Sequence, residues 1–321
     1  MKSDTNLPKM EARLLQSIEG KKRELDRLRP LSASSVRKLN EQFTLEWIYN
    51  SNAIEGNTLS LRETEMVLAR GLTIGNKSLK EHFEAINHKE GIAFLERFIQ
   101  KKKNLDEDFI KDIHRIILKN IDDEEAGNYR RTNVRIVGAV HIPPNPLKIQ
   151  KLINEFLDWY HQNEYLMPIP ELAAWVHYKF VHIHPFVDGN GRTTRLLMNL
   201  VLMQKGYPPA VILNVDRKKY YRVLREADLD HPKEFIDFIG RAIERSLVIY
   251  LNGVKPIKDA HQARGSYITL QQATQFCEYS LEYLSLLARQ GKLSAVKFQR
   301  NWMTTKEAIE EYKKRSKKTR S

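Results

Sequence analysis

Residues 184–195 read His-Pro-Phe-Val-Asp-Gly-Asn-Gly-Arg-Thr-Thr-Arg and gather side chains able to act together. His184 ionises near neutrality in its ordinary state, so it can take a proton from a hydroxyl nucleophile. Asp188 is a hard oxygen ligand of the kind that holds Mg²⁺ against a polyphosphate. Gly189 and Gly191 allow backbone paths that a side chain would block, letting N–H groups converge on an anion. The apolar run at 196–203 (LLMNLVLM) predicts a helix whose N-terminal dipole points at the same spot. Arg192 and Arg195, three apart on that helix, share a face and bring two guanidiniums to one phosphate chain. Base, metal carboxylate, anion cradle and paired arginines therefore sit within one loop and the first turns of one helix.

Simpler readings of the parts are weaker than the whole. Asp-Gly-Asn-Gly alone is more often a tight turn than an anion site. A calcium loop starting at Asp188 would need Glu at its twelfth position, where Asn199 stands. His177, His182 and His184 do not read as a metal cluster, because their spacing puts no clean pair on one helical face. Neither a Walker-A string nor G-x-G-x-x-G occurs, so the usual nucleotide folds do not explain the segment.

The elements that must position this loop are helical. Residues 9–29 carry Met10, Leu14, Ile18, Leu25 and Leu28 among alternating charges, an amphipathic helix ended by Pro30. A second helix is expected over 34–55, with Phe43, Trp47 and Ile54 inward and Gly56-Asn57 as its stop. Ser60 and Glu63 form a capping box for a short helix that Gly71 closes. Further helices are expected at 80–102, 106–119, 146–162, 170–182, 191–205, 217–228 and 232–251. Residues 129–144 break the pattern: rich in β-branched side chains and ending in Pro-Pro, they predict a short hairpin flap with Gly138-Ala139 at its tip. Residues 253–266, with Gly, Pro and few apolar side chains, read as a linker.

Length and composition frame these elements. A chain of 321 residues suggests about two domains. With 41% hydrophobic and 29% charged residues it reads as soluble and globular. No apolar run approaches the ~18 residues a membrane span requires, and the first 30 residues lack a signal-type apolar stretch. A single cysteine, Cys277, excludes an intrachain disulfide and a cysteine-rich zinc site. A reducing cytoplasm without membrane contact is the expected setting. Of the net charge of +13, residues 264–321 carry over half, with 12 Lys+Arg against 5 Asp+Glu. That asymmetry marks a basic module suited to an anionic partner.

The string His184 to Arg195 resembles the signature of the Fic family, H-P-F-x-[DE]-G-N-G-R-x-x-R, at every fixed position. The resemblance spans residues 50–251 and includes a flap before the signature and Lys-Lys-Tyr-Tyr after it. It implies an all-α fold, a Fic-type helical bundle with a short β-hairpin flap, and transfer of AMP from Mg-ATP to a Ser, Thr or Tyr hydroxyl of a target protein or of the chain itself. By resemblance, His184 deprotonates the hydroxyl and Asp188 binds Mg²⁺. Gly189, Asn190, Gly191, Arg192, Thr193, Thr194 and Arg195 bind the phosphates, and Tyr220, Tyr221 and Asp228 lie at the adenine. Asp228 departs from relatives that carry Asn there, which leaves the donor nucleotide open. Val137, Gly138, Val140 and His141 on the flap would pair with target backbone as an added strand. The resemblance also allows a homodimer and removal of AMP.

Residues 51–57, Ser-Asn-Ala-Ile-Glu-Gly-Asn, resemble the family's inhibitory motif [ST]-x-x-x-E-[GN]. Glu55 falls at the C-terminal end of its predicted helix, where the dipole repels a carboxylate by roughly 0.3–1 kcal/mol. A cationic partner elsewhere is implied, and the resemblance makes it Arg195, with Ser51 and Gly56 completing the motif.

Residues 268–305 read as helix, turn, second helix and a two-stranded wing, which resembles the winged helix-turn-helix of excisionase- and MerR-type proteins. Arg289, Lys292, Lys297 and Arg300 are its candidate DNA contacts. The organisation expected is therefore an N-terminal helical segment with the inhibitory helix (1–75), a catalytic core (76–252), a linker (253–266) and a winged module with a basic tail (267–321). Against the enzyme stands a reading as a DNA-binding regulator whose Fic domain senses nucleotide.

Overall fold

A computed structural model describes residues 7–31, 33–136, 139–254, 267–298 and 301–318. The chain divides into two compact units, residues 1–18 with 40–243, and residues 19–39 with 244–321. The division runs through three long helices, α1 (Ala12–Arg27), α2 (Ala33–Ile54) and α10 (Lys233–Val254). Gly253 and Val254 complete α10, and the rest of the expected linker lies outside the described residues.

Among its described residues the regular elements of the first unit are all helices. After α2 come α3 (Leu61–Arg70), α4 (Leu79–Gln100), α5 (Glu107–Leu118), α6 (Ile149–Asn163), α7 (Ile169–Ile183), α8 (Asn190–Gln204) and α9 (Arg217–Asp228). These match the expected helices to within a few residues. The α3 capping box forms between Ser60 and Glu63, and Gly71 closes the helix in the left-handed region at φ 62°. Ser78 and Glu81 build a second capping box on α4. Asp106 caps α5 by accepting the Phe109 N–H.

The core lies along α7 and α8, which pack on each other while α4, α5 and α6 flank them. Both are buried on nearly every face, as helices surrounded by protein are. Leu172, Val176 and Phe180 of α7 and Leu196, Leu197, Leu200 and Val201 of α8 are buried. The loop between α7 and α8 is the signature string. Its position is thus set by the two most deeply packed helices of the unit.

The described residues of 129–144, the stretch expected as a flap hairpin, contain no strand. Arg130 closes the segment instead, donating from Nη1 to the Thr132 carbonyl (3.0 Å) and from Nη2 to the Pro144 carbonyl (2.6 Å). Pro143 and Pro144 have no N–H for a ladder, and two strands without a supporting sheet are marginal. Val137 and Gly138 lie outside the described residues.

In the second unit, a three-stranded antiparallel sheet of order β1-β3-β2 joins Tyr267–Thr269 (β1), Ala295–Phe298 (β2) and Asn301–Thr305 (β3). β2 and β3, paired Val296 with Met303, fall in the stretch expected as a wing. β1 was not expected, and it shortens the helix predicted from residue 268. Thr269 leaves the strand as the N-cap of a helix over Leu270–Ala273, continued as a 3₁₀ turn to Phe276. A longer helix, Leu281–Arg289, starts at the Ser280 cap, and another runs over Lys306–Lys318. Leu270, Leu284, Leu287, Leu293 and Ile309 form the core of this unit.

Candidate active site

His184 ends α7 in the left-handed region at φ 50°, its N–H still donating to the Phe180 carbonyl at 3.1 Å. Few non-glycine residues sit there, and this one is held from outside. Arg130, a buried arginine, donates from Nε to the His184 carbonyl (2.8 Å) and from its backbone to the Pro185 carbonyl (2.9 Å). One guanidinium therefore ties both ends of residues 130–144 to the residue expected to act as base. The loop is also clipped by Asn190, which accepts the Phe186 N–H at 3.0 Å and donates to the Phe186 carbonyl at 2.9 Å. The Asn190 side chain is used inside the loop, leaving its backbone N–H at the helix start.

His114 of α5 supports the same loop from beneath. Its ring stacks on Phe186 with centroids 3.5 Å apart. Nδ1 accepts from the Gly127 N–H at 2.9 Å, so Nε2 carries the proton and donates to the Asp188 carbonyl at 3.0 Å. Gly189 caps α8 in the left-handed region at φ 75°, and a Cβ there would press on His114 at 3.2 Å.

The start of α8 is where the anion cradle is expected. By helix geometry the N–H groups of its first turn lack intrahelical partners, and both signature arginines are buried behind it. Arg192 Nη1 lies 3.3 Å from Glu84 of α4, and Nη2 lies 3.6 Å from Asp188. Arg192 Nε and Nη1 and Arg195 Nη1 are buried donors without a hydrogen-bond acceptor among the described residues. Such groups are costly to leave unmet, and a bound polyphosphate would meet them.

Glu55 already occupies part of the cradle. Arg195 Nη2 donates to its Oε1 at 2.7 Å, while Arg195 Nε donates to Ser51 Oγ (2.8 Å) and Nη2 also to the Ser51 carbonyl (2.9 Å). A Cβ on Gly191 would fall 2.1 Å from Glu55 Oε1. The carboxylate thus lies against the first turn of α8, where only glycine leaves room. Gly56 at φ 102° ends α2 and turns the chain away. Arg217 Nε (2.7 Å) and the Tyr221 hydroxyl (3.3 Å) donate to the Ile54 carbonyl, and Asn57 Nδ2 donates to Glu84 at 2.8 Å. Glu84 therefore meets both Asn57, just past the end of α2, and Arg192.

Burial pushes His184 down to about 4, outweighing the hydrogen bond to the Val181 carbonyl, so its imidazole is neutral at pH 7. Burial would raise the Asp188 carboxyl, but Arg192, the Gly189 N–H and Lys80 together hold it below the usual range. Burial would lower Arg195, yet Glu55 more than compensates and raises it.

Asp188 suits a magnesium ion. Half of its side chain is exposed, one oxygen accepts the Gly189 N–H at 2.6 Å, and the other faces the Lys80 ammonium at 3.5 Å. A single carboxylate beside phosphate oxygens and water is the usual protein share of a Mg²⁺ site, and a cation is already tolerated there.

The remaining expected residues divide. Thr193 and Thr194 of the first turn of α8 have fully buried side chains, and the Thr194 hydroxyl donates to the Asn190 carbonyl at 2.7 Å. Tyr220 is buried, its hydroxyl 3.2 Å from His177 Nε2, and Tyr221 is partly exposed beside the end of α2. Val140 is exposed, while His141 contacts the His182 carbonyl through Nε2 at 2.7 Å. Asp228, at the end of α9, faces His182 Nδ1 at 3.3 Å. Arg289 and Lys292 are exposed; the Lys297 side chain and Arg300 lie outside the described residues. Arg130, His114 and Glu84 were not anticipated. Only the polar residue in each otherwise helical or β-branched run could have flagged them.

Comparison with known proteins agrees with this geometry. The Fic/DOC family pattern matches residues 104–202. The chain is 39% identical over 251 residues to protein adenylyltransferase Fic of Nematostella vectensis, covering 76% of this chain and 58% of the relative. It is 36% identical over 244 residues to the protein of the same name from Drosophila persimilis, covering 75% and 47%. The chain thus spans about half the length of the curated relatives it matches. A Fic domain-containing signaling protein from Bacteroides thetaiotaomicron superposes with a TM-score of 0.70 at 32% identity, over 74% of this chain and 97% of that one. Residues 134–508 of Fic-1 from C. elegans superpose with a TM-score of 0.69 at 32% identity, over 74% and 71%. A helical bundle that carries the signature loop between its two central helices defines the class. The chain belongs to the Fic/DOC family.

Proposed function

We propose that this chain is an autoinhibited protein adenylyltransferase that moves AMP from ATP to a hydroxyl of a protein. The observation that carries the reading is the Glu55 carboxylate seated on Gly191 and Arg195, an anion of the protein in the place of a phosphate. The names of the curated relatives support the same activity.

In the reaction, the target hydroxyl oxygen attacks the α-phosphorus while its proton passes to His184. A serine or threonine hydroxyl has almost no anionic form at pH 7, so a neutral base is required. The low His184 pKa keeps that base unprotonated. The new P–O bond forms as the bond to the bridging oxygen breaks, and pyrophosphate leaves. The first-turn N–H groups of α8 and the Arg192 and Arg195 guanidiniums receive the phosphate charge, which is electrostatic stabilisation by groups already in place. Asp188 would hold Mg²⁺, which neutralises phosphate charge when bound. Arg130 fixes the backbone at His184.

Glu55 acts as the brake because ATP must displace it from Arg195 to seat its terminal phosphate. A hydrogen bond to a charged group contributes about 1.5–3 kcal/mol, roughly 10- to 150-fold in an equilibrium. Glu55→Gly should therefore bind Mg-ATP at least about 10-fold more tightly in calorimetry. Equal affinities in the two proteins would remove the brake from the account.

For the second unit we infer a winged-helix type of module that docks on duplex DNA. Its support is the β2–β3 hairpin beside the helix Leu281–Arg289, with Arg289 and Lys292 exposed at the helix end. The basic excess in residues 264–321 favours the same anionic partner.

A further inference from the structure

We propose that His141, His182 and Asp228 form a binding site for a borderline divalent cation of the Zn²⁺ class, which clips the chain at His141 to α7 and to the end of α9. The three residues come from separate stretches of the first unit, and one ligand atom from each lies within 4.8 Å of the other two. No ion of the described mechanism needs them: the Mg²⁺ carboxylate is Asp188.

The local geometry resembles a coordination shell before closure. His182 Nδ1 and Asp228 Oδ1 stand 3.3 Å apart. Two ligands about 2.0–2.1 Å from a tetrahedral ion are separated by about 3.4 Å, so this pair needs little adjustment. The His141 and His182 rings stack with centroids 3.7 Å apart and planes 27° apart, so the His141 ring must turn out of the stack to aim a nitrogen at the ion. Its tautomer is already set. His141 Nε2 donates to the His182 carbonyl at 2.7 Å, leaving Nδ1 as a free lone pair. A backbone carbonyl holding the far nitrogen of an imidazole is the usual outer support of a metal-bound histidine. Tyr178 lies behind Asp228: its hydroxyl donates to the Ala227 carbonyl at 2.9 Å and stands 3.4 Å from Asp228 Oδ1, and the Asp228 side chain is mostly buried.

The donor set selects the ion. Two imidazoles and one carboxylate favour Zn²⁺, Co²⁺ or Ni²⁺ over Mg²⁺, which prefers oxygen and keeps its water. Three protein ligands leave a fourth position for water or a ligand atom.

The test uses the full chain stripped with a chelator. Calorimetric titration with Zn²⁺ in millimolar Mg²⁺ should give one site per chain, and Co²⁺ should give the visible absorption of a low-coordinate nitrogen and oxygen site. His141→Ala, His182→Ala and Asp228→Asn should each weaken Zn²⁺ by more than about 10-fold, the lower bound for losing even an outer support. Asp228→Asn preserves shape, so its loss of binding cannot be assigned to unfolding. Absence of stoichiometric binding, competition by Mg²⁺, or full affinity in any one variant would leave His182 and Asp228 as an ion pair and overturn the site.

Discussion

At the scale of single residues, the base and the arginine behind it carry the most specific expectations. His184 is pushed down to about 4 by burial. Its folded pKa lies below the ordinary 6.5, so the neutral, proton-accepting form persists as pH falls and is lost only near 4. The acid limb of the rate profile in Glu55→Gly should accordingly have its midpoint at about 4–5 and not at about 6.5. Half-maximal transfer near pH 6.5, measured where circular dichroism shows the chain folded, would mean that His184 is not buried in the active form. Arg130 is expected to matter for stability first. Its guanidinium satisfies the carbonyls of Thr132, Pro144 and His184. Arg130→Met leaves those acceptors unmet, at about 1–3 kcal/mol for each one that water cannot reach. The urea midpoint should fall by the equivalent of about 3 kcal/mol at unchanged slope; a loss below about 0.5 kcal/mol would show that the carbonyls find other partners.

At the scale of elements, what the sequence made legible follows the range of the interactions. The helices were readable because their periodicity, caps and glycine stops are local: Ser60, Glu63 and Gly71 act within one helix. The signature was readable for the same reason, since Asp188, Gly189, Gly191 and both arginines adjoin one helix start. Glu55 could be read as a carboxylate at an unfavourable helix end, but its pairing with Arg195, 140 residues away, rested on family resemblance. His114 and Arg130 act on carbonyls 74 and 54 residues away, and nothing in their own neighbourhoods announces it. The described residues of the expected flap carry no strand for a different reason. β-Branched composition specifies extended backbone, whereas a strand also needs a partner, and the Arg130 side chain supplies the closure here. β1 was missed because three residues carry no readable alternation; its pairing with β3 defines it.

At the scale of the whole molecule, one chain combines a site whose cradle holds its own carboxylate with a basic second unit. The second unit should bind duplex DNA with an affinity that falls steeply with salt. Replacing Arg289 and Lys292 with Glu in the full chain should flatten the logarithmic salt slope by about 2, one for each phosphate that is no longer neutralised. An unchanged slope would move the anionic partner elsewhere. The central claim is that Glu55 restrains an AMP transfer that His184 initiates. Its most direct measurement is label transfer from ATP carrying a radioactive α-phosphate to proteins of a cell lysate, with wild type, Glu55→Gly and Glu55→Gly/His184→Ala side by side. The account predicts protein label that rises at least about 10-fold in Glu55→Gly and disappears in the double variant. Equal labelling by wild type and Glu55→Gly, or label that survives loss of His184, would contradict it.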